Sequence, residues 1–403
     1  MSKFLVDVVN FNADASCLSS ERWISILQGG KNSKFYRWLN LYVKNNKAIV
    51  LGLPGATIAD ISTINPEAIT LINKFPDIFQ IILRPFAHDL ALLRTSQGFL
   101  VNLICGINVI RNEFINIFDY YLPPEFMLTD EQVYQLSCQG ILGTFVNPGR
   151  YSDGIQSNIP LSIYEISGVF GKKINCIPFA DVLTKCYLSA LQNYEFENWN
   201  NEIISKKSKY IFSWRDGESL FFLPDGISRE ELWLENESNL FERSQLNLIN
   251  TNFEAASSNS NNYTYPLHSC HSWMREFRML GYVNRISKAE DQIQAKGWGY
   301  IIKWLMTINS DILSSIEKES PKIMIKKESG AQSVIELTLL RTDRWFEGNE
   351  YLSILEEFLE GSNLRIYKSA DTLPAYVKKY ITRTSYLRKN ENSIFVGIDK
   401  LMR

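Results

Sequence analysis

Residues 117–146 read IFDYYLPPEFMLTDEQVYQLSCQGILGTFV, and the reading of this stretch decides the fold class. Ile117 to Leu122 is a short apolar run of strand-forming residues. Pro123-Pro124 stops it, because proline has no N–H to give to a sheet ladder. Thr129-Asp130-Glu131-Gln132 then opens a helix: Thr129 is placed to cap it, and Gln132 stands where the partner of a capping box belongs. That helix is expected to end at Gly140, and Ile141 to Val146 follows directly as a second strand. Parallel strands need a long crossover, so strand, helix and strand in succession specify a βαβ unit.

The same pattern extends both ways. Phe4 to Asn12, Lys47 to Leu53 (ended by the turn Pro54-Gly55) and Ile78 to Leu83 read as three earlier strands, with a helical stretch from Gly98 to Phe114 before the fourth. Lys173 to Pro178 is a sixth strand with a helix from Asp181 to Leu191 behind it, and Lys209 to Trp214 is a seventh. The expected class is α/β, a (β/α)7-type parallel barrel over residues 1–245; an open doubly wound sheet satisfies the same alternation. In both architectures function sits at the C-terminal ends of the strands.

Composition shifts near residue 250. Ala255-Ala256-Ser257-Ser258-Asn259-Ser260-Asn261-Asn262 is small and polar, so 246–265 reads as a linker or loop. A helical region follows over 266–320, with stretches from Ser272 to Gln294 and from Gly297 to Ile316, the latter aligning Ile301, Leu305, Ile308 and Ile312. Residues 321–403 read as a small mixed α/β region of hairpin-like (Met324 to Lys327, Val334 to Leu340), helical (Tyr351 to Leu359) and strand-like (Ile394 to Ile398) pieces. The basic run Lys378, Lys379, Arg383, Arg388, Lys389 reads as a solvated helix face.

With 45% apolar and 21% charged residues and a net charge of −2, nothing draws the chain to nucleic acid or an anionic membrane. No apolar run approaches the ~20 residues of a membrane span, and no signal peptide is visible. Six scattered cysteines without a CxxC pair suit reduced thiols, so a cytoplasmic setting is expected. The 13% aromatic content suits rings stacking on sugar faces, and equally a large core. Gly-x-Gly-x-x-Gly, phosphate-loop and Gly-x-Ser-x-Gly motifs are absent, and no cofactor is implied. His268-Ser269-Cys270-His271 has no second Cys/His cluster to complete a tetrahedral site, so no metal is expected.

Two acids immediately follow strands: Glu125 after the fourth and Asp216, with Glu218 behind it, after the seventh. Glycoside cleavage needs two carboxyls facing each other across the scissile bond, and strand-end acids in a barrel can meet that demand. Acids in such places also serve as helix caps or solvated loop residues. Arg84, Arg150 and Arg215 fall near the expected mouth, where arginine forks either recognise an anionic sugar or neutralise a neighbouring acid. His88 follows a strand beside Asp89, which is placed to orient it.

Leu122-Pro123-Pro124-Glu125-Phe126, with Gln139-Gly140-Ile141 after the helix, resembles the nucleophile motif of glycoside hydrolase family 57. Trp214-Arg215-Asp216-Gly217-Glu218, continuing to Leu223-Pro224-Asp225-Gly226, resembles the acid/base region of that family's 4-α-glucanotransferases. Arg84-Pro85-Phe86-Ala87-His88-Asp89 is more weakly similar to a family segment near the sugar site. The resemblance covers about residues 1–245. It implies a retaining glycoside hydrolase or glucanotransferase with Glu125 as nucleophile and Asp216 as proton donor. Substrate contacts would then come from Arg84, His88, Asp89, Trp214, Arg215 and Glu218, and the partner would be an oligosaccharide or sugar-like small molecule. The family's His-x-His-Gln-Pro-like motif is replaced here by Asn10-Phe11-Asn12-Ala13-Asp14-Ala15, which leaves the first-strand contacts to Asn12 and Asp14. A sugar-binding protein that lost the chemistry, and a different bond cleavage on a sugar-like metabolite, remain alternatives. The related polysaccharide deacetylases bind metal through Asp and two His, a triad that this sequence does not assemble locally. Oligomeric state is left open.

Overall fold

A computed structural model describes residues 3–15, 18–146, 163–179, 181–223, 225–247, 277–296, 301–308, 348–353, 355–356, 359–360 and 375–398. The seven expected strands are all present. They are β1 (Lys3–Asn10), β2 (Ile49–Gly52), β3 (Phe79–Leu83), β4 (Ile117–Tyr121), β5 (Gly143–Val146), β7 (Lys173–Pro178) and β8 (Tyr210–Asp216). In sheet order β7-β5-β4-β3-β2-β1-β8 they lie side by side, every pair parallel. The sequence reading missed two strands. β6 (Tyr164–Ser167) pairs antiparallel on the outer edge of β7, and β9 (Phe241–Arg243) pairs with the start of β1. Both are short and carry charged residues, so neither shows the apolar run that marks the buried strands.

Helices join the strands. The first two crossovers are α1 (Ser20–Leu27) with α2 (Lys34–Lys44), and α3 (Gly55–Ile64) with α4 (Pro66–Lys74). Next come α5 (Ser96–Glu113) and α6 (Asp130–Cys138), then α7 (Asp181–Asn193) with α8 (Phe196–Ser205), and α9 (Gly226–Glu235) after β8. Their starts are written locally. Ser19, Ser33 and Thr95 cap α1, α2 and α5 by accepting from the amides of Arg22, Tyr36 and Gly98. The expected capping box is formed on α6: the Thr129 amide donates to Gln132 Oε1 at 3.0 Å and the Gln132 amide to Thr129 Oγ1 at 3.2 Å.

Alternation along the strands separates two layers. One face of every parallel strand feeds a single apolar cluster: Val8 from β1, Val50 from β2, Ile82 from β3, Tyr120 from β4, Phe145 from β5, Ile177 from β7 and Trp214 from β8. Among the described residues the hydrogen-bonded path is not closed between β6 and β8, yet side chains join the two flanks of the sheet. Phe179 stacks on Phe145 at 5.1 Å and meets Phe126 at 5.7 Å, and Phe126 meets Trp214 at 5.0 Å. The other face packs against the helices in the larger core cluster. This is the parallel α/β architecture expected from the sequence, curled about an apolar interior.

Of the C-terminal residues, α10 (Phe277–Lys296) overlaps the first expected helical stretch and runs two residues past it, and α11 (Ile301–Leu305) falls within the second, with Ile301, Leu305 and Ile308 buried; Ile312 lies outside the described residues. The pieces Met324 to Lys327 and Val334 to Leu340 lie outside them too. Ile394 to Ile398 is not a strand: it closes the short helix α13 (Glu391–Ile394) and a turn. The basic run lies on α12 (Ala375–Lys389), but Lys379 and Arg383 are buried, not solvated, because two carboxylates of the barrel receive them. No helix among the described residues is long and apolar enough to cross a membrane.

Candidate active site at the barrel mouth

The C-terminal ends of β1, β2, β3, β4 and β8 build the mouth. Two-residue periodicity sends Arg84 inward after Ile82, and two glycines make room for it. A Cβ on Gly52 would lie 2.9 Å from Leu122 and 3.7 Å from the Arg84 stem. A Cβ on Gly106 of α5 would overlap the backbone of Arg84-Pro85-Phe86 at 2.3–2.4 Å. Arg84 is 1% exposed, and its Nη1 donates to the Leu122 carbonyl at 2.7 Å, while Nε and Nη2 find no hydrogen-bond partner among the described residues. Burial pushes its guanidinium down to about 10, although Tyr121, Glu125, Glu218 and Asp216 all pull the other way. Three mouth carboxylates therefore act on one buried cation.

Glu125 sits in a 3-10 turn, Pro124–Phe126, directly beyond β4. Both Glu125 (φ 52°) and Phe126 (φ 57°) occupy the left-handed region without being glycine. Such residues cost about 1–3 kcal/mol each and persist where their surroundings over-determine them. Here the Phe126 ring is held between Phe179 and Trp214, which fixes the turn that presents Glu125. Across the mouth Asp216 is in register with Asn10, whose Nδ2 donates to Asp216 Oδ1 at 3.1 Å. Glu218 is buried and its Oε2 accepts from the Asn12 amide at 3.3 Å.

The remaining sequence candidates divide. Trp214 lines the interior beside Phe126. Asn12 is 2% exposed and turns its Oδ1 to the Asp14 amide at 3.0 Å. Asp14 is engaged by Lys379 (2.6 Å) and Arg383 (2.6 Å) of α12, so its carboxylate serves an ion pair. His88 is buried, but Asp89 accepts from Arg94 Nε at 2.7 Å, and burial holds its carboxyl above the usual range even so. One carboxylate oxygen of Asp89 thus serves Arg94. Arg215 requires a correction. Alternation that turns Trp214 and Asp216 inward turns Arg215 outward, where it pairs with Asp7 (3.0 Å) and Glu230 (3.1 Å) and stacks on Tyr187 at 4.4 Å. It neutralises acids between sheet and helices and does not reach the mouth. Arg150, His268, Cys270 and His271 lie outside the described residues. Among the described residues no group of three or more His, Cys, Asp or Glu could hold a metal ion.

Sequence reasoning passed over Asn10, the hydrogen-bond donor to Asp216. Its signal was available: Asn10 continues the inward series Val6, Val8 by two residues.

No family model and no curated protein matches this sequence. Solved structures do. The 4-α-glucanotransferase of Thermococcus litoralis superposes with a TM-score of 0.55 at 10% identity, over 96% of this chain and 60% of its own. An exo-type maltose-forming amylase from a Pyrococcus species gives 0.55 at 9% identity, over 100% of this chain and 82% of its own. The α-amylase AmyC of Thermotoga maritima gives 0.54 at 9%, covering 100% and 99%. The fold is like that of glycoside hydrolase family 57. At such identity the likeness is one of fold, and the chain spans 60% of the glucanotransferase's length. The Asn12–Asp14 loop after β1 is tied on one side to Glu218 and on the other to α12.

Proposed function

We propose that the mouth cleaves or transfers a glycosidic bond of an oligosaccharide by a retaining two-carboxylate mechanism. Glu125 attacks the anomeric carbon while Asp216 protonates the departing oxygen; water or a second sugar then takes the glycosyl group from Glu125, with Asp216 acting as base. The chemistry requires Glu125 ionised and Asp216 protonated at the moment of attack. One observation carries this reading: Glu125 beyond β4, and Asp216 with Glu218 at the end of β8, all act by charge on the buried guanidinium of Arg84, which lies beyond β3. The left-handed turn that presents Glu125 adds to it, because strain of this kind gathers at functional sites. On this reading Asn10 orients Asp216, Trp214 offers a ring face to the sugar, and Asn12 and Glu218 shape the floor. The buried, reduced thiol of Cys105 suits a cytoplasmic enzyme.

The test is Glu125→Gln and Asp216→Asn, each nearly isosteric, on maltooligosaccharides and uronic-acid-containing oligosaccharides. Each should lower turnover by at least about 10²-fold with the unfolding temperature preserved. Wild-type rates in both variants would remove the acid pair from the chemistry. A second reading is favoured by one feature, the capture of Asp14 by Lys379 and Arg383 at the first-strand position. It makes the mouth a sugar-binding site without turnover, and a chain that binds several sugars and cleaves none would establish it.

A further inference from the structure

We propose that Arg383 and Lys379 of α12 are positioning residues of the mouth: they hold the loop after β1 in the conformation that seats Glu218. The inference rests on the proposed function only in taking Glu218 and Asp216 as parts of the working site.

Lys379 and Arg383 stand one turn apart on the same face of α12, with side chains 0% and 4% exposed. The Arg383 fork spans two carboxylates. Nη1 and Nη2 bind the Asp14 oxygens at 2.6 and 3.0 Å, while Nε and Nη2 bind those of Asp60 on α3 at 2.9 and 2.7 Å. Lys379 Nζ adds a bond to Asp14 Oδ1 at 2.6 Å. Asp60 is fixed in turn by Trp23 Nε1 of α1 at 2.9 Å. Two cations thus face two carboxylates, and the charge is balanced inside the protein. Burial alone would lower the affinity of Arg383 for its proton, but Asp14 and Asp60 more than reverse this.

From Asp14 the contacts run inward without a gap. The Asp14 amide donates to Asn12 Oδ1 at 3.0 Å, the Ala13 amide to Thr57 Oγ1 at 3.0 Å, and the Asn12 amide to Glu218 Oε2 at 3.3 Å. Glu218 is two residues from Asp216. Docking of α12 does not need these charges, since Val377, Tyr386 and Leu387 already bury apolar surface. Burying ions is costly, and apolar replacements of similar volume often hold a fold equally well. What the ions add is direction: a fork on Asp14 fixes one loop at one place, as apolar contact cannot.

Hydrogen exchange of the full-length chain, followed by mass spectrometry, tests this without any sugar. Arg383→Met and Asp14→Asn should each speed exchange about tenfold or more in peptides covering 11–15 and 214–220. Asp60→Asn breaks an even more deeply buried pair with the same arginine but leaves Asp14 engaged, so it should loosen α12 and α3 while those two peptides keep wild-type exchange. If all three variants change only α12 and its immediate packing, or if all three loosen the mouth alike, the residues are structural and the proposal fails. Should Arg383→Met not fold, Lys379→Met, which removes one bond from Asp14 and leaves Asp60 paired, carries the same comparison. Because the readout needs no sugar, a wild-type chain that turns over no glycoside would count against the proposed function alone.

Discussion

Arg84 should weaken the fold that contains it. Burial pushes its guanidinium from the ordinary arginine value down to about 10, which corresponds to about 3 kcal/mol of unfavourable charging in the folded chain. A base with a depressed folded pKa carries that penalty at all pH values below about 10, and sheds it only as pH rises from there towards the ordinary arginine value. Set against it is one hydrogen bond to the Leu122 carbonyl, worth about 1 kcal/mol. Arg84→Met fills the same stem volume without a buried charge. It should therefore stabilise the chain by about 1–2 kcal/mol, read at pH 7 as a rise in Tm of roughly 2–8 °C for a domain of this size. The same variant should lose sugar affinity, the usual trade-off when a destabilising group is kept for function. A Tm lowered by several degrees would show that the guanidinium is a strut of the barrel, and would withdraw it from the site.

Other outcomes follow from the surrounding structure. Asp7 is fully buried, and although burial favours its protonated form, Arg215 and Arg243 hold its carboxyl below the usual range. Asp7→Asn should cost about 3–5 kcal/mol by thermal melting, because two buried arginines lose their shared counter-ion. The advantage of wild type over Asp7→Asn is present above pH 3.8 and should vanish as pH falls through the depressed folded pKa; a constant gap down to pH 2 would contradict this. Thr129→Ala removes one half of the α6 capping box and should cost about 0.5–2 kcal/mol in denaturant melts, with sugar affinity little changed. Chelator treatment should leave the unfolding temperature where it was, and a chelator-induced fall would expose a metal site that the described residues do not provide.

How much of this was legible in the sequence depends on distance along the chain. The seven parallel strands were, because a strand buried on both faces has to be an apolar run closed by a turn signal, as Ile49–Gly52 is by Pro54-Gly55. The α6 capping box was legible because both partners lie within four residues. Edge strands β6 and β9 were not, since Tyr164-Glu165-Ile166-Ser167 and Phe241-Glu242-Arg243 look like loops until a neighbour is present. Arg215 was misplaced although its answer was local: with Trp214 and Asp216 facing inward, the residue between them faces out. The burial of Lys379 and Arg383 had no local signal, for their carboxylate partners stand in the first sixty residues and only the fold brings them together. Glu125, Asp216 and Arg84 were legible as strand-end residues, whereas the full burial of Arg84 beside their charges needed the assembled mouth.

The most direct test of the mouth as a retaining site is to trap its covalent intermediate. Wild-type chain and Asp216→Asn would be incubated with a panel of fluorinated glycosyl fluorides, including 5-fluoro-α-glucosyl fluoride, then digested and mapped by mass spectrometry. A glycosyl adduct on the carboxylate of Glu125, absent from Glu125→Gln, is the expected result. An adduct on any other residue, or glycoside turnover by Glu125→Gln at the wild-type rate, would contradict it.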